Sequence, residues 1–356
     1  MDQGQRNETG YCIVCGHRSI FRFDSAIITP QLQNAWGISD SLVEAFNRKE
    51  SMFCGSCGSS LRVRRLAAVL MQTFAESSGL SCKSFAELLE NEGFRDLKIA
   101  EINACGALHS YLKDHPNLSY SEWLPHAEPG EVYDGVRCED LQRLTYPDNY
   151  FDIILTSETL EHVPDPGKAW QEIFRTLKDG GYHIFTIPVL LSQPTSVRRA
   201  NLVDGKRENL SAPGYHGAWG SENMFVYTDF GANLVEKLNG IGLKTDLFYQ
   251  NPEDELDVAV VFRSRKSNNY ASATSAGGSK MLEWTGERYL PWLKDASMNY
   301  EHLHCYAYAT EFVQNKRVLD LACGEGYGSY LLTQKATAVV GIDIDEQTIK
   351  DGRHKY

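Results

Sequence analysis

Two short cysteine pairs, Cys12-Ile-Val-Cys15 and Cys54-Gly-Ser-Cys57, are each followed at once by a glycine, Gly16 and Gly58. A CxxC turn directs two thiolates at one centre, and two such turns complete a tetrahedral sulfur site of the kind that holds structural Zn2+. The 38 residues between the pairs exceed the roughly 15–20 of a compact zinc ribbon, so the ribbon must carry an inserted arm. With Cys12, Cys15, Cys54 and Cys57 all committed, no coordination position stays open for catalysis, and His17 is read as a neighbour of the site. Merely buried thiols are the plainer alternative. A redox role fits poorly, because neither pair stands in a thioredoxin-like βαβ setting.

A second set of residues stands where apolar strands give way to loops. Glu101 stands near the end of one strand and Gly106 in the turn after it, and Glu122 closes the next strand, sixteen residues past Gly106. Asp140 and Leu141 follow the third, and Ser157 and His162 lie in the ionisable stretch after the fourth. In an open α/β sheet a nucleotide-like cofactor lies at these carboxyl ends. An acid at Glu122 can accept both hydroxyl protons of a ribose, and Asp140 can accept from an adenine amino group. Taken singly, each has a blander reading: a solvated loop acid, a helix cap at Asp140, an ordinary loop histidine at His162.

The elements that must position these groups follow from the apolar pattern. Residues 61–95 are helical in character, leading from Leu61 into the run Leu66–Met71. Residues 96–263 alternate short apolar strands with amphipathic helices, the pattern of a βαβ sheet. Strands are expected near 97–102, 119–122, 134–138, 151–156, 182–187, 244–249 and 257–262, and helices near 106–114, 167–178 and 228–241. Gly180-Gly181 should end the helix before the fifth strand. Only Asn251-Pro252-Glu253-Asp254 separates the last two strands, too little for a crossover, so they should pair antiparallel. The expected architecture is an α/β, Rossmann-like, seven-stranded doubly wound sheet with a small N-terminal zinc ribbon at 1–60. Residues 264–280 are small and polar, as a flexible linker is.

The stretch Glu139 to Pro166, with Phe151-Asp152-Ile-Ile-Leu-Thr-Ser157-Glu158-Thr-Leu-Glu161-His162-Val-Pro-Asp-Pro at its heart, resembles class I S-adenosylmethionine (SAM)-dependent methyltransferases of the type 11 group. Ala169 to Pro188 continues the likeness, which covers about residues 97–262. Some members also carry a zinc module followed by an Arg-rich helix, here Arg62 to Leu70. The resemblance implies SAM as cofactor, with Glu122 on the ribose, Asp140 on the adenine, and Glu101 with Gly106 lining the methionine end. One departure is plain: the family's first loop usually holds two or three glycines, whereas Asn103-Ala-Cys-Gly106-Ala holds one. That keeps open a second reading, an inactive methyltransferase-like scaffold.

Methyl transfer to a hydroxyl also calls for a general base within hydrogen-bond reach. His162 is one candidate. His216, in the insertion Ala212-Pro-Gly-Tyr-His216-Gly217, is the other, and it resembles a His-Gly segment at the same place in relatives. The expectation is an O-methyltransferase with His216 as base.

After the linker, residues 281–356 begin a second unit. Val318-Leu-Asp320-Leu-Ala-Cys-Gly324-Glu-Gly326-Tyr-Gly328, followed by Val339-Val-Gly-Ile-Asp343, is a full glycine-rich loop with an acid after the second strand. Asp320 ahead of the loop favours SAM over NAD. The segment resembles the opening of methyltransferases from bacterial surface-polysaccharide (O-antigen) clusters, and at about two strands it is expected to be truncated and without turnover.

Composition narrows the partners. A net charge of −12 argues against broad contact with phosphate backbones, so nucleic-acid methylation is the third and least favoured reading. A small-molecule or saccharide acceptor suits it better, with possible association with glycan-assembly enzymes. Scattered remaining cysteines fit a reducing compartment. No apolar run reaches 18 residues and the N-terminus lacks a signal-peptide core, so a cytoplasmic location is expected.

Overall fold

The computed structural model describes residues 8–190, 193–203, 205–215, 225–248, 259–267, 306, 309–310, 312–324, 326–333, 335–344 and 349. The chain divides into two compact units, Met1–Ala273 and Thr274–Tyr356.

The first unit opens with β1 (Glu8–Tyr11), β2 (Arg18–Phe23) and β3 (Met52–Cys54), an antiparallel sheet in the order 1-2-3. The inserted arm between β2 and β3 is helical: α1 (Pro30–Trp36) and α2 (Asp40–Ser51) start where Thr29 and Ser39 accept the amide hydrogens of Leu32 and Leu42. Helix α3 (Leu61–Ser78) is capped by Ser60 and stopped by Gly79 at φ 74°. Its Val63, Leu66, Leu70 and Phe74 recur every three or four residues and bury one stripe. The helical stretch does not run on to residue 95. New caps at Ser84 and Asn91 restart it as two single turns, α4 (Phe85–Leu88) and α5 (Glu92–Arg95).

Then come β4 (Ile99–Ile102), α6 (His109–Leu112), β5 (Leu118–Glu122), β6 (Val132–Tyr133), β7 (Val136–Cys138), β8 (Phe151–Ser157), α7 (Pro166–Thr176) and β9 (Leu177–Thr186). Four small strands follow, β10 (Val189–Leu190), β11 (Val197–Arg198), β12 (Ala200–Val203) and β13 (Lys206–Asn209). β14 (Thr228–Gly231), α8 (Leu234–Gly240), β15 (Leu243–Phe248) and β16 (Val261–Lys266) complete the unit. The central sheet runs β15-β16-β9-β8-β4-β5-β7-β6. β4 pairs parallel with both β5 and β8, so the chain winds outward in opposite directions from the middle, as a doubly wound sheet does. The expected antiparallel closure is present, with β16 antiparallel to both β15 and β9.

Several local expectations are corrected. A short edge strand, β6, hairpins onto β7 and brings the described strands of this sheet to eight. Residues 228–231 are strand, and the helix expected from 228 begins only at Leu234. The last strand lies at Val261–Lys266, so it takes Ser264, Arg265 and Lys266 from the stretch read as linker. The helix expected at 106–114 is a 3-10 turn, Gly106–Leu108, leading into α6. Gly180-Gly181 does not end α7, which stops at Thr176. The pair sits inside β9 at a register shift against β8, where a Cβ on Gly181 would lie 2.9–3.1 Å from the carbonyl oxygens of Lys178, Asp152 and Phe151. The turn 251–254 lies outside the described residues.

Alternate residues of the central strands face two cores. Ile153 and Leu155 join Ile99 and Ile184 in a core that also holds Cys12, Val14, Cys54 and the buried stripe of α3. Ile154 and Phe185 join Trp170 and Ile173 of α7 and Leu238 of α8 on the other face. The cysteine module therefore shares one core with the sheet. In the second unit, β17 (Arg317–Leu321) and β18 (Ala338–Ile342) pair parallel around α9 (Tyr327–Thr333), the start of a βαβ sheet. Among the described residues no helix is long and apolar enough to cross a membrane.

Candidate cofactor and zinc sites

Register brings the carboxyl ends of β8, β4, β5 and β7 into one row. Glu101 pairs with both Leu155 and Tyr120, and Ile102 with Ser121. Glu122 pairs with Cys138. The amide of Asn103 bonds the Ser121 carbonyl at 2.8 Å, and that of Glu139 bonds the Glu122 carbonyl at 3.0 Å. Glu122 therefore stands between the turn after β4 and the Asp140 loop after β7, and Ser157 ends β8 on the far side of β4.

The turn after β4 is left-handed twice, at Asn103 (φ 59°) and Gly106 (φ 59°). Glycine is required at 106 for a second reason: a Cβ there would come within 3.2 Å of Val63 Cγ2 on α3. Glu101 braces this turn. Its side chain is fully buried, accepts the Cys105 amide hydrogen at 2.9 Å and meets His109 Nδ1 at 2.6 Å. Burial pushes its carboxyl pKa up, opposed by those two partners. The His109 ring lies 4.2 Å from that of Tyr120, whose hydroxyl donates to Glu122. Burial and that carboxylate push the Tyr120 phenol up. Glu122 itself is half-buried, and the next residue, Trp123, is 49% exposed.

Asp140 is half-buried and accepts the Gln142 amide hydrogen at 2.9 Å, closing the turn after β7. Leu141 points into the core on the α7 side. The neighbouring Glu139 is structural: it is buried, paired with Arg137 at 2.7 Å, and accepts from Thr145. Ser157 Oγ lies 2.8 Å from Thr186 Oγ1 and accepts from Arg62 of α3. Glu158, next along, sits at φ 49°, a region non-glycine residues rarely occupy.

Residues 119–185, which carry Glu122, Asp140 and Ser157, match the family profile described as a methyltransferase domain. This stretch is similar to a methyltransferase domain. A probable SAM-dependent methyltransferase of Mycolicibacterium smegmatis is 38% identical over 78 residues, covering 21% of this chain and 30% of that protein. A ubiquinone biosynthesis O-methyltransferase of Coxiella burnetii is 26% identical over 189 residues, 51% of this chain and 61% of that protein. The match thus spans less than two thirds of either relative. A crystal structure of a SAM-dependent methyltransferase from Mesorhizobium loti aligns at 17% identity and TM-score 0.31, over 48% of this chain and 91% of that one.

In the first unit, His162 closes a 3-10 turn after β8. Its Nδ1 lies 3.0 Å from the Phe225 carbonyl, which can only accept, so this nitrogen carries the hydrogen. Nε2 then faces Glu161 Oε1 at 3.6 Å. His216 lies outside the described residues.

The four cysteines converge as their spacing requires. All four sulfurs lie within 4.8 Å of one another, and Cys12 Sγ is 3.7 Å from Cys57 Sγ. A tetrahedron with Zn–S bonds of about 2.3 Å has edges of about 3.8 Å, so the cluster is the right size. Gly16 and Gly58 turn their knuckles at φ 76° and 72°, donating to the Cys12 and Cys54 carbonyls at 2.9 and 2.8 Å. The Cys57 thiol stabilises a Cys12 thiolate, lowering Cys12 to about 4 and raising Cys57. Residues outside the module reach into this site: Tyr111 of α6 is pushed up to about 12 by burial and the nearby thiolates. Arg64 of α3 donates to the carbonyls of Met52 and Ser59 at 3.1 and 2.6 Å.

In the second unit Asp320 accepts from Tyr306 (2.9 and 3.1 Å) and Ser329 (2.6 Å), and Asp343 accepts the Gly324 amide hydrogen at 2.9 Å. Gly324 and Gly326 take φ 57° and 88°, and a Cβ on Gly328 would collide with the Tyr306 ring. The loop and its acid are thus brought together at the ends of β17 and β18. Sequence reasoning passed over Trp123, Tyr120 and His109. Trp123 was within reach, since it directly follows Glu122, whereas the His109–Tyr120 contact depends on how α6 folds back onto β5.

Proposed function

We propose that the first unit is a SAM-dependent methyltransferase acting on oxygen of a small or saccharide acceptor, with Zn2+ held structurally by Cys12, Cys15, Cys54 and Cys57. The single observation that carries this reading is the row of strand ends with Glu122 between the left-handed turn after β4 and the Asp140 turn after β7. Glu122 would take the ribose hydroxyls, Asp140 and the Trp123 face the adenine, and the Gly106 turn the remainder. Bound SAM supplies an electrophilic methyl group, so the residues of the chain need only orient an acceptor and take its proton. His162, whose Nε2 lies 3.6 Å from Glu161 Oε1, is one candidate base, and His216, in the insertion before β14, is the second. The second unit is read as the opening of a SAM-binding fold with Asp320, Gly324, Gly326, Gly328 and Asp343 as its cofactor loop. Its likeness to surface-polysaccharide methyltransferases supports a glycan-related acceptor, glycan-assembly partners and a cytoplasmic setting.

Calorimetric titration of SAM into the full chain, compared with Glu122→Ala and Asp343→Ala, tests this. Loss of two charge-assisted hydrogen bonds should weaken the first-unit site at least about 10-fold in Glu122→Ala. Binding unchanged in Glu122→Ala but lost in Asp343→Ala would place cofactor binding in the second unit and leave the first as a scaffold.

A further inference from the structure

A chain of alternating charges crosses from the cysteine module onto the cofactor face. Lys49 and Glu50 belong to α2, between the two cysteine pairs, Arg62 begins α3, and Glu158 follows β8. Lys49 Nζ lies 3.3 Å from both carboxylate oxygens of Glu158 and 3.3 Å from Glu50 Oε1. Arg62 Nε donates to both Glu50 oxygens at 3.0 and 2.9 Å, and its Nη1 donates to Ser157 Oγ. The Lys49 side chain is 2% exposed and the other three about a fifth. Apolar side chains would join the module to the sheet at lower desolvation cost than one buried and three partly buried charges. Glu158 is moreover held at a left-handed φ that few side chains tolerate.

The position of this array says what it can read. Arg62 touches the end of β8 through Ser157, and its neighbour Val63 packs on Gly106 at the end of β4. The ribose and adenine residues lie on the other side of β4, on β5 and β7. A ligand laid along the row with its nucleoside at Glu122 and Asp140 therefore brings its other end to Arg62 and Glu158. An α-amino-acid group there is a zwitterion, and a guanidinium fork beside carboxylates is its complement. From this geometry we infer that Arg62, supported by Lys49, Glu50 and Glu158, recognises the carboxylate of the cofactor's amino-acid end. The cysteine module is then a wall of the cofactor pocket. This rests on the cofactor reading above.

The test uses two ligands that share the nucleoside and sulfur: S-adenosylhomocysteine, which has the amino-acid end, and 5′-methylthioadenosine, which lacks it. Both are titrated into the full chain in an Asp343→Ala background, with and without Arg62→Gln. The expected result is at least about 10-fold weaker binding of S-adenosylhomocysteine and a change below about 2-fold for methylthioadenosine. Arg62→Lys, which keeps the charge without the fork, should fall between. Retained methylthioadenosine binding doubles as the check that Arg62→Gln is folded. Parallel weakening of both ligands, or no change in either, would make the array a structural joint and overturn the inference. Failure of the unsubstituted protein to bind either ligand would overturn it too, but by sinking the cofactor reading first.

Discussion

Replacing His183 by glutamine should make the first unit markedly less sensitive to acid. His183 lies in the middle of β9 with no exposed surface, its ring stacked 4.3 Å from Phe185, and Nε2 3.0 Å from Thr156 Oγ1. Burial lowers its pKa from 6.5 to about 3. The sign follows directly: the folded pKa lies below the unfolded one, so below pH 6.5 the unfolded chain takes up a proton that the folded chain refuses. Stability is full above pH 6.5 and is lost as pH falls toward 3, at about 1.4 kcal/mol per unit and about 5 kcal/mol in all. That is comparable to the whole stability of many domains, roughly 5–15 kcal/mol. Urea unfolding at pH 7, 6, 5 and 4 measures it. The glutamine variant loses the ring stacking, about 1 kcal/mol at pH 7. Its stability should nevertheless fall less steeply than that of the unsubstituted protein, by about one proton's slope between pH 6 and 4. Other titrating groups, Glu101 and His115 among them, are common to both proteins and cancel. Identical slopes would show that His183 is protonated in the folded state and refute the argument.

Two further outcomes follow from the joints around the site. Gly106→Ala must hold a non-glycine residue at φ 59° against Val63, costing about 1–2 kcal/mol in urea unfolding. Adding Val63→Ala should relieve only the steric share, so full recovery would mean the left-handed turn costs nothing. Zinc is expected at one ion per chain by elemental analysis and to fall in Cys57→Ser. Because the cysteines share a core with Ile99 and Ile153, hydrogen exchange should then quicken in α3 and β4 as well as in residues 8–57. Quickening confined to the module would show that it melts alone.

The sheet was legible because its strands are short apolar runs closed by chemistry: Glu122 at the end of β5, Ser157 at the end of β8, and the four cysteines at knuckle spacing all stand where their neighbours in sequence imply. What stayed hidden depends on contacts distant in sequence. Glu101 was read as lining a ligand, yet its carboxylate turns inward to Cys105 and His109, four and eight residues on. Gly180-Gly181 looked like a helix stop, but the space beside Gly181 is taken by the β8 backbone. Lys49 lies 109 residues from Glu158, so no local pattern could pair them. Residues 228–231 read as helix because α8 follows so closely, whereas β10 and β11 claim them as a strand between.

The place of β16 has a consequence for how the protein is made. The last strand of the unit is not added at the rim: it slides between β15, which precedes it, and β9, which left the ribosome some eighty residues earlier. Until Lys266 has emerged, β9 presents an open edge, the surface most prone to pairing with another chain. The strands whose ends carry the candidate site, β8, β4, β5 and β7, are all synthesised before that point and lie on the other side of β9. A nascent chain can therefore assemble the half of the sheet that carries the candidate site while the β9 edge is still exposed.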